Sequence, residues 1–313
     1  MTDLVDAQRL ANFKAGARLL QDWLQDQVRF GLATIEADPR GHFEQIAAQL
    51  TDAQLPGPAE SLRALSQRVA EGGNWIEVVL DTLGYWHLQT SLMLQPERLT
   101  PQQLDGVLLA LGLRVRKATL QGQETSPAQR WSCIGLTLTE RSNVFARCVY
   151  WLGETTSAWA EQLDFNYGGP PTPIATQIGD AGTFGVHAYP GGLPGRALLP
   201  ERRTLSTSTH APPAHASIAQ QQAYAERLLI EQPWRRRIPF LLAVARLKIE
   251  GDRLLLVDNT GEALAVPATD SDTAAWQLLA VSGGDSCHVY GVMTSGSLEL
   301  LSVYCEGRLS GLG

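Results

Sequence analysis

The chain has 313 residues, 44% of them hydrophobic and 18% charged, with 25 Lys+Arg against 32 Asp+Glu and a formal net charge of −7. That length predicts two domains, and the composition excludes collagen-like, disordered and heptad-driven fibrous chains. The acidic excess runs through both halves, so neither half is basic enough to hold a phosphate backbone on charge alone.

The first third has helical periodicity. Leu10, Phe13, Ala17, Leu20, Leu24 and Val28 recur at steps of three and four, which predicts an apolar stripe on a long helix ending near Gly31. Asp38-Pro39 opens a second helix with Phe43, Ile46, Ala47 and Leu50 on its inner face, and Pro56-Gly57-Pro58 is expected to stop it. A third carries Leu62, Leu65 and Val69 and ends at Gly72-Gly73, and a fourth opens at Asn74 and runs through Val79, Leu83 and Trp86. Thr100-Pro101-Gln102-Gln103 is a capping box for a fifth helix, which Gly112 closes. Short connections favour antiparallel packing, so residues 1–122 are expected to form a helical bundle.

The polar stretch 121–129 reads as a linker. Beyond it the period becomes two: Ile134, Leu136 and Leu138 alternate with small and polar residues, and Trp159, Leu163, Phe165 and Tyr167 share one face of another strand. Further strands are expected at 144–152, 182–189, 196–199, 241–249, 253–257, 262–266, 276–281, 289–293 and 298–304. One helix is expected at 218–230, with Tyr224, Leu228 and Leu229 inward. Residues 130–313 are thus expected to be a β-rich sandwich or partly closed barrel with one inserted helix, making the chain α+β. The longest apolar runs, 107–113 and 240–245, fall far short of the roughly 18–20 residues of a membrane crossing, and no basic-then-apolar leader precedes them. No membrane association and a cytoplasmic location are expected.

The chemistry-bearing residue types do not gather into a motif. Cys133, Cys148, Cys287 and Cys305 form no Cys-x-Cys or Cys-x-x-Cys pair and sit in apolar strands, where thiols pack as small hydrophobes. Gly283-Gly284-Asp285-Ser286-Cys287 resembles a serine-protease nucleophile run, but its glycines precede the serine instead of following it. His210 and His215 have no neighbouring third ligand, and Cys287-His288 with Cys305 sits among strand-core residues, so no metal site and no cofactor are expected. Gly191-Gly192-Leu193-Pro194-Gly195-Arg196 lacks the Lys-Ser/Thr and the helix that a phosphate loop needs and reads as a hairpin turn. Arg235-Arg236-Arg237 beside Trp234 is the basic run. It suits a solvated helix exit, a nucleic-acid clamp or contact with acidic groups.

Several ordered motifs resemble bacterial SWIM zinc finger family proteins in the region downstream of the finger. They begin with FKAGARLLQDWLQDQVRFGLATI at 13–35 and Leu50-Thr51-Asp52-Ala53-Gln54-Leu55-Pro56-Gly57. They continue with Val149-Tyr150-Trp151-Leu152-Gly153-Glu154-Thr155, Leu163-Asp164-Phe165, His187-Ala188-Tyr189-Pro190-Gly191-Gly192-Leu193-Pro194-Gly195-Arg196 and Gln232-Pro233-Trp234. The family's finger uses Cys-x-Cys and Cys-x-His; this chain has neither, so the finger's zinc and nucleic-acid contacts carry over to no residue here. The resemblance implies an accessory protein working with a MoxR-type AAA+ ATPase and a von Willebrand factor A domain protein. A non-catalytic adaptor is therefore the leading expectation, with contacts through Tyr189, Arg196, Trp234, Arg235, Arg236 and Arg237. A nucleic-acid-binding module through the β-rich domain is the alternative, and a hydrolase at Ser286 or at a histidine-lined site comes third.

Overall fold

Asp6 accepts a hydrogen bond from the Arg9 amide at 2.7 Å and opens α1 (Ala7–Phe30), which Gly31 ends with its own N–H on the Gln27 carbonyl. A short α2 (Ala33–Ala37) follows. Asp38 then caps the Gly41 amide to start α3 (Pro39–Asp52). Next come α4 (Pro56–Glu71), α5 (Trp75–Leu94) and α6 (Pro101–Ala110), the last with the reciprocal Thr100–Gln103 capping box. Pro56-Gly57-Pro58 forms the first turn of α4 instead of ending α3, which has already stopped at Asp52. Proline suits that place because first-turn amides have no partner within the helix. A computed structural model describes residues 4–141, 144–251, 253–266, 273–294 and 297–312.

The chain divides into two units, Met1–Val115 with Leu229–Trp234, and Arg116–Leu228 with Arg235–Gly313. In the helical unit Phe13, Leu20, Phe43, Leu50, Leu62 and Val107 are all 3% exposed or less and share one core. Each such side chain contributes about 1.5–3 kcal/mol of burial. The stripe on α1 stays buried through Leu24 but leaves the core before Val28, which is 86% exposed.

The second unit contains a short α7 (Lys117–Gln121) and two sheets. The first joins β1 (Gln129–Arg141), β2 (Val144–Gly153), β3 (Trp159–Tyr167), β4 (Asp180–Phe184), β5 (His187–Ala188), β6 (Gly195–Leu198) and β7 (Ser206–Thr207) in the order β5-β6-β3-β2-β1-β4-β7. The second joins β8 (Ile238–Glu250), β9 (Arg253–Val257), β10 (Ala263–Val266), β11 (Cys287–Thr294), β12 (Ser297–Cys305) and β13 (Arg308–Gly311) in the order β10-β9-β8-β11-β12-β13. The described pairs are antiparallel except β3–β6. Ile134, Tyr150, Leu152 and Trp159 of the first sheet meet Leu241, Tyr290, Val292 and Leu301 of the second in one buried layer. This is the face-to-face packing of two half-buried sheets.

The inserted helix is α8 (Ile218–Glu231). Its Ile218 amide donates to Asp258, which also accepts from the Thr260 and Glu262 amides and the Thr260 hydroxyl. Leu228 is buried as expected, whereas Leu229 is 41% exposed. The run 276–281, expected as a strand, belongs to helix α9 (Thr273–Ser282). Ala275, Leu278 and Ser282 form its buried face, and Trp276 and Val281 point outward at 55% and 43% exposure. A short apolar run matches either period, and only the packing partner decides between them. Among the described residues no helix is long and apolar enough to cross a membrane.

Candidate interaction surface

Tyr189 and Arg196 stand seven residues apart, and the hairpin between them brings their side chains together. His187 pairs with Leu198 and Ala188 with Ala197, the Tyr189 amide donates to the Arg196 carbonyl at 2.9 Å, and the Gly192 amide closes the turn on the Tyr189 carbonyl. Gly191 and Gly192 adopt φ 90° and 78°, the left-handed region that glycine enters without strain. The Leu193–Pro194 peptide is cis.

On the returning strand, Arg196 registers against Glu161 of β3. Its guanidinium lies 4.4 Å from the centre of the Tyr189 ring and 5.7 Å from that of Phe165. Phe165 is 55% exposed and Tyr167, on the same face of β3, is 79% exposed. The alternating apolar face of β3 thus starts in the core at Trp159 and runs out into solvent. Arginine on an aromatic face gains about 0.5–1 kcal/mol at an exposed site, and it leaves rings and cation preordered for a partner.

Buried charge supports this hairpin. The Arg235 side chain, 9% exposed, pairs with Glu161 at 3.6 Å and donates to the Arg237 carbonyl at 3.0 Å and to the Pro194 carbonyl. Burial lowers the Arg235 pKa, against the pull of Glu161, while Glu161 also accepts from the Trp159 indole at 3.2 Å. Arg237 donates to Glu299 at 2.8 Å and to the Tyr150 hydroxyl at 2.7 Å.

The six residues expected to act together therefore separate by role. Tyr189 and Arg196, both half-buried, meet beside the exposed Phe165, with Tyr167 further along the same face of β3. Arg235 and Arg237 form ion pairs within the β-rich unit, and Arg236 is exposed. Trp234 belongs to the helical unit, where the Tyr85 hydroxyl donates to its carbonyl at 3.0 Å. A Cβ on Gly106 would stand 2.2 Å from the Trp234 ring. Sequence alternation put Phe165 and Tyr167 on one face of a strand but gave no sign that the core ends before them.

The other candidates are dispersed. Ser286 Oγ accepts from Arg246 at 2.7 Å. His210 bonds the Thr209 hydroxyl through Nδ1, and His215 packs on Tyr224 at 5.0 Å. Cys133, Cys148 and Cys287 are buried and Cys305 is half-buried; burial pushes the first three thiols up to about 12. Among the described residues no three His, Cys, Asp or Glu side chains converge as metal ligands.

Fold and surface together define an α+β protein in which a helical bundle accompanies a two-sheet β unit bearing an arginine–aromatic patch. Residues 8–111 match the SWIM-associated four-helix bundle domain, consistent with a SWIM-family region downstream of the zinc finger. No curated protein matches the chain.

Proposed function

We propose that the chain is a non-catalytic cytoplasmic adaptor whose β-rich unit docks a protein partner on Tyr189, Arg196, Phe165 and Tyr167. The observation that carries this reading is the half-buried Arg196 held against Tyr189 and the exposed Phe165, 4.4 and 5.7 Å from their ring centres. Arginine and tyrosine dominate contact energies once a partner excludes water, and a preordered cluster loses less side-chain entropy on binding. The family resemblance makes a MoxR-type AAA+ ATPase, working with a von Willebrand factor A domain protein, the partner proposed. Glu161 and Glu299 already pair two cations of the 235–237 run, which favours a protein over a phosphate backbone.

The test is recovery of the MoxR-type ATPase on immobilised chain. Arg196→Ala and Tyr189→Ala are each expected to reduce recovery by roughly ten-fold or more, with circular dichroism unchanged. Unreduced recovery with both variants removes the patch from the interface. Retention of a labelled oligonucleotide that falls steeply between two salt concentrations would assign the surface to nucleic acid instead.

A further inference from the structure

Helix α5 has a face that the bundle core does not use. Ile76, Leu80, Gly84 and Leu88 repeat at four-residue steps, and the three large residues are 50%, 55% and 43% exposed. Beside them α1 ends at Val28 and Phe30, 86% and 77% exposed. A groove of about 720 Å³ runs between the two helices, with Val28, Leu32, Leu80, Gly84 and His87 in its walls. Apolar side chains gathered in this way on a folded domain mark a surface that another molecule covers.

The pattern on α5 identifies that molecule because it is symmetric about one residue. Leu80 and Leu88 lie four positions either side of Gly84, and Asp81 and His87 lie three positions either side. Among the described residues, the turns of its own helix aside, no atom lies within 4 Å of where a Gly84 Cβ would be, so the helix backbone is bare at the centre of the stripe. An antiparallel second α5 centred there sets Leu80 of each copy beside Leu88 of the other. It also brings the Asp81 carboxylate level with the His87 imidazole across the seam. Rows spaced four residues apart are the ridges that interlock in the commonest helix–helix packing, and a bare glycine lets the two axes approach.

We propose that the chain forms a twofold dimer through α5, with Gly84 meeting Gly84 at its centre. Such an interface uses the same patch on both copies, so its apolar stripe and its polar pairs must both be self-complementary. This surface lies within the helical unit and owes nothing to the Tyr189–Arg196 patch.

Sedimentation velocity of the full chain, from about 1 to about 200 µM, is expected to shift from 34.0 kDa toward twice that mass. Leu80→Arg places a charge in the seam, and Gly84→Leu places a side chain where the backbones meet. Each is expected to weaken association at least roughly ten-fold with unchanged circular dichroism, because both positions are open to solvent in the single chain. His87→Glu sets like charges level and weakens the dimer; combining it with Asp81→Lys restores it. A wild-type chain that stays at 34.0 kDa across the range overturns the proposal, as does a dimer that Leu80→Arg and Gly84→Leu both leave intact.

Discussion

Trp234 occupies the space where Gly106 would carry a side chain. A Cβ at that position would meet three atoms of the indole ring at 2.2–2.5 Å, too close for any side-chain adjustment short of moving the ring. Trp234 is fixed in turn by its neighbours: the Gln89 amide donates to the Pro233 carbonyl at 2.9 Å and the Tyr85 hydroxyl to the Trp234 carbonyl at 3.0 Å. Gly106→Ala is therefore expected to destabilise the protein by about 1–3 kcal/mol, the cost of overpacking, although alanine is the better helix former. Urea denaturation checks this, and an unchanged midpoint would show that Trp234 is free to move. The sequence placed Gly106 inside α6 with no indication of why a glycine was there, since its partner is more than a hundred residues away. Trp234 was legible as important but not as a bundle residue, because tryptophan beside three arginines fits a surface as readily as a core.

At the scale of elements, local chemistry predicted best where the signal was a cap. The Thr100–Gln103 box forms as its spacing indicates, with the Gln103 amide donating to Thr100 Oγ1 at 3.2 Å and the Thr100 amide to Gln103 Oε1 at 3.1 Å. Thr100→Ala removes one of these bonds and is expected to cost about 1 kcal/mol of stability, read as a lowered urea midpoint. Local pattern misleads at α9, where six apolar-rich residues matched a strand as well as a helix. Packing of Ala275 and Leu278 into the core beside β8 and β12 selects the helix, and that core is built from strands distant in sequence. The outer part of β3 shows the converse: alternation was correct, yet burial ended before Phe165. The arginine–aromatic patch is therefore a product of where burial of the sheet ends.

For the whole molecule, acid sensitivity follows from three half-buried imidazoles. Burial lowers the pKa values of His42, His215 and His288; Arg227 adds to this at His215, and Asp38 opposes it at His42. The fold thus holds these rings neutral, while the unfolded chain takes up their protons from about pH 6.5 downward. Their contribution is complete above that pH and lost as the pH falls below it. Asp258 acts in a lower window: burial alone would raise its pKa, but the Ile218, Thr260 and Glu262 donors hold it below its ordinary value. Its share is present above about pH 4 and lost on further acidification. The melting temperature is expected to fall between about pH 8 and about pH 5, and His215→Phe with His288→Phe to flatten that fall. A wild-type profile that is flat over this range would count against the neutral, half-buried imidazoles.

The residues themselves determined the helical bundle, the change to period two near residue 130, the helix starts at Asp38, Asn74 and Thr100 and the ends at Gly31 and Gly72. Those features depend on neighbours within about four positions, and sequence order preserves such neighbours. The tertiary structure alone decided that residues 229–234 join the helical unit, that Arg235 and Arg237 pair with Glu161 and Glu299, and that Arg196 settles on Tyr189 and Phe165. An arginine run looks the same in sequence whether its cations are solvated or paired. Carboxylates 62 to 74 positions away determine which it is, and only folding brings them within reach.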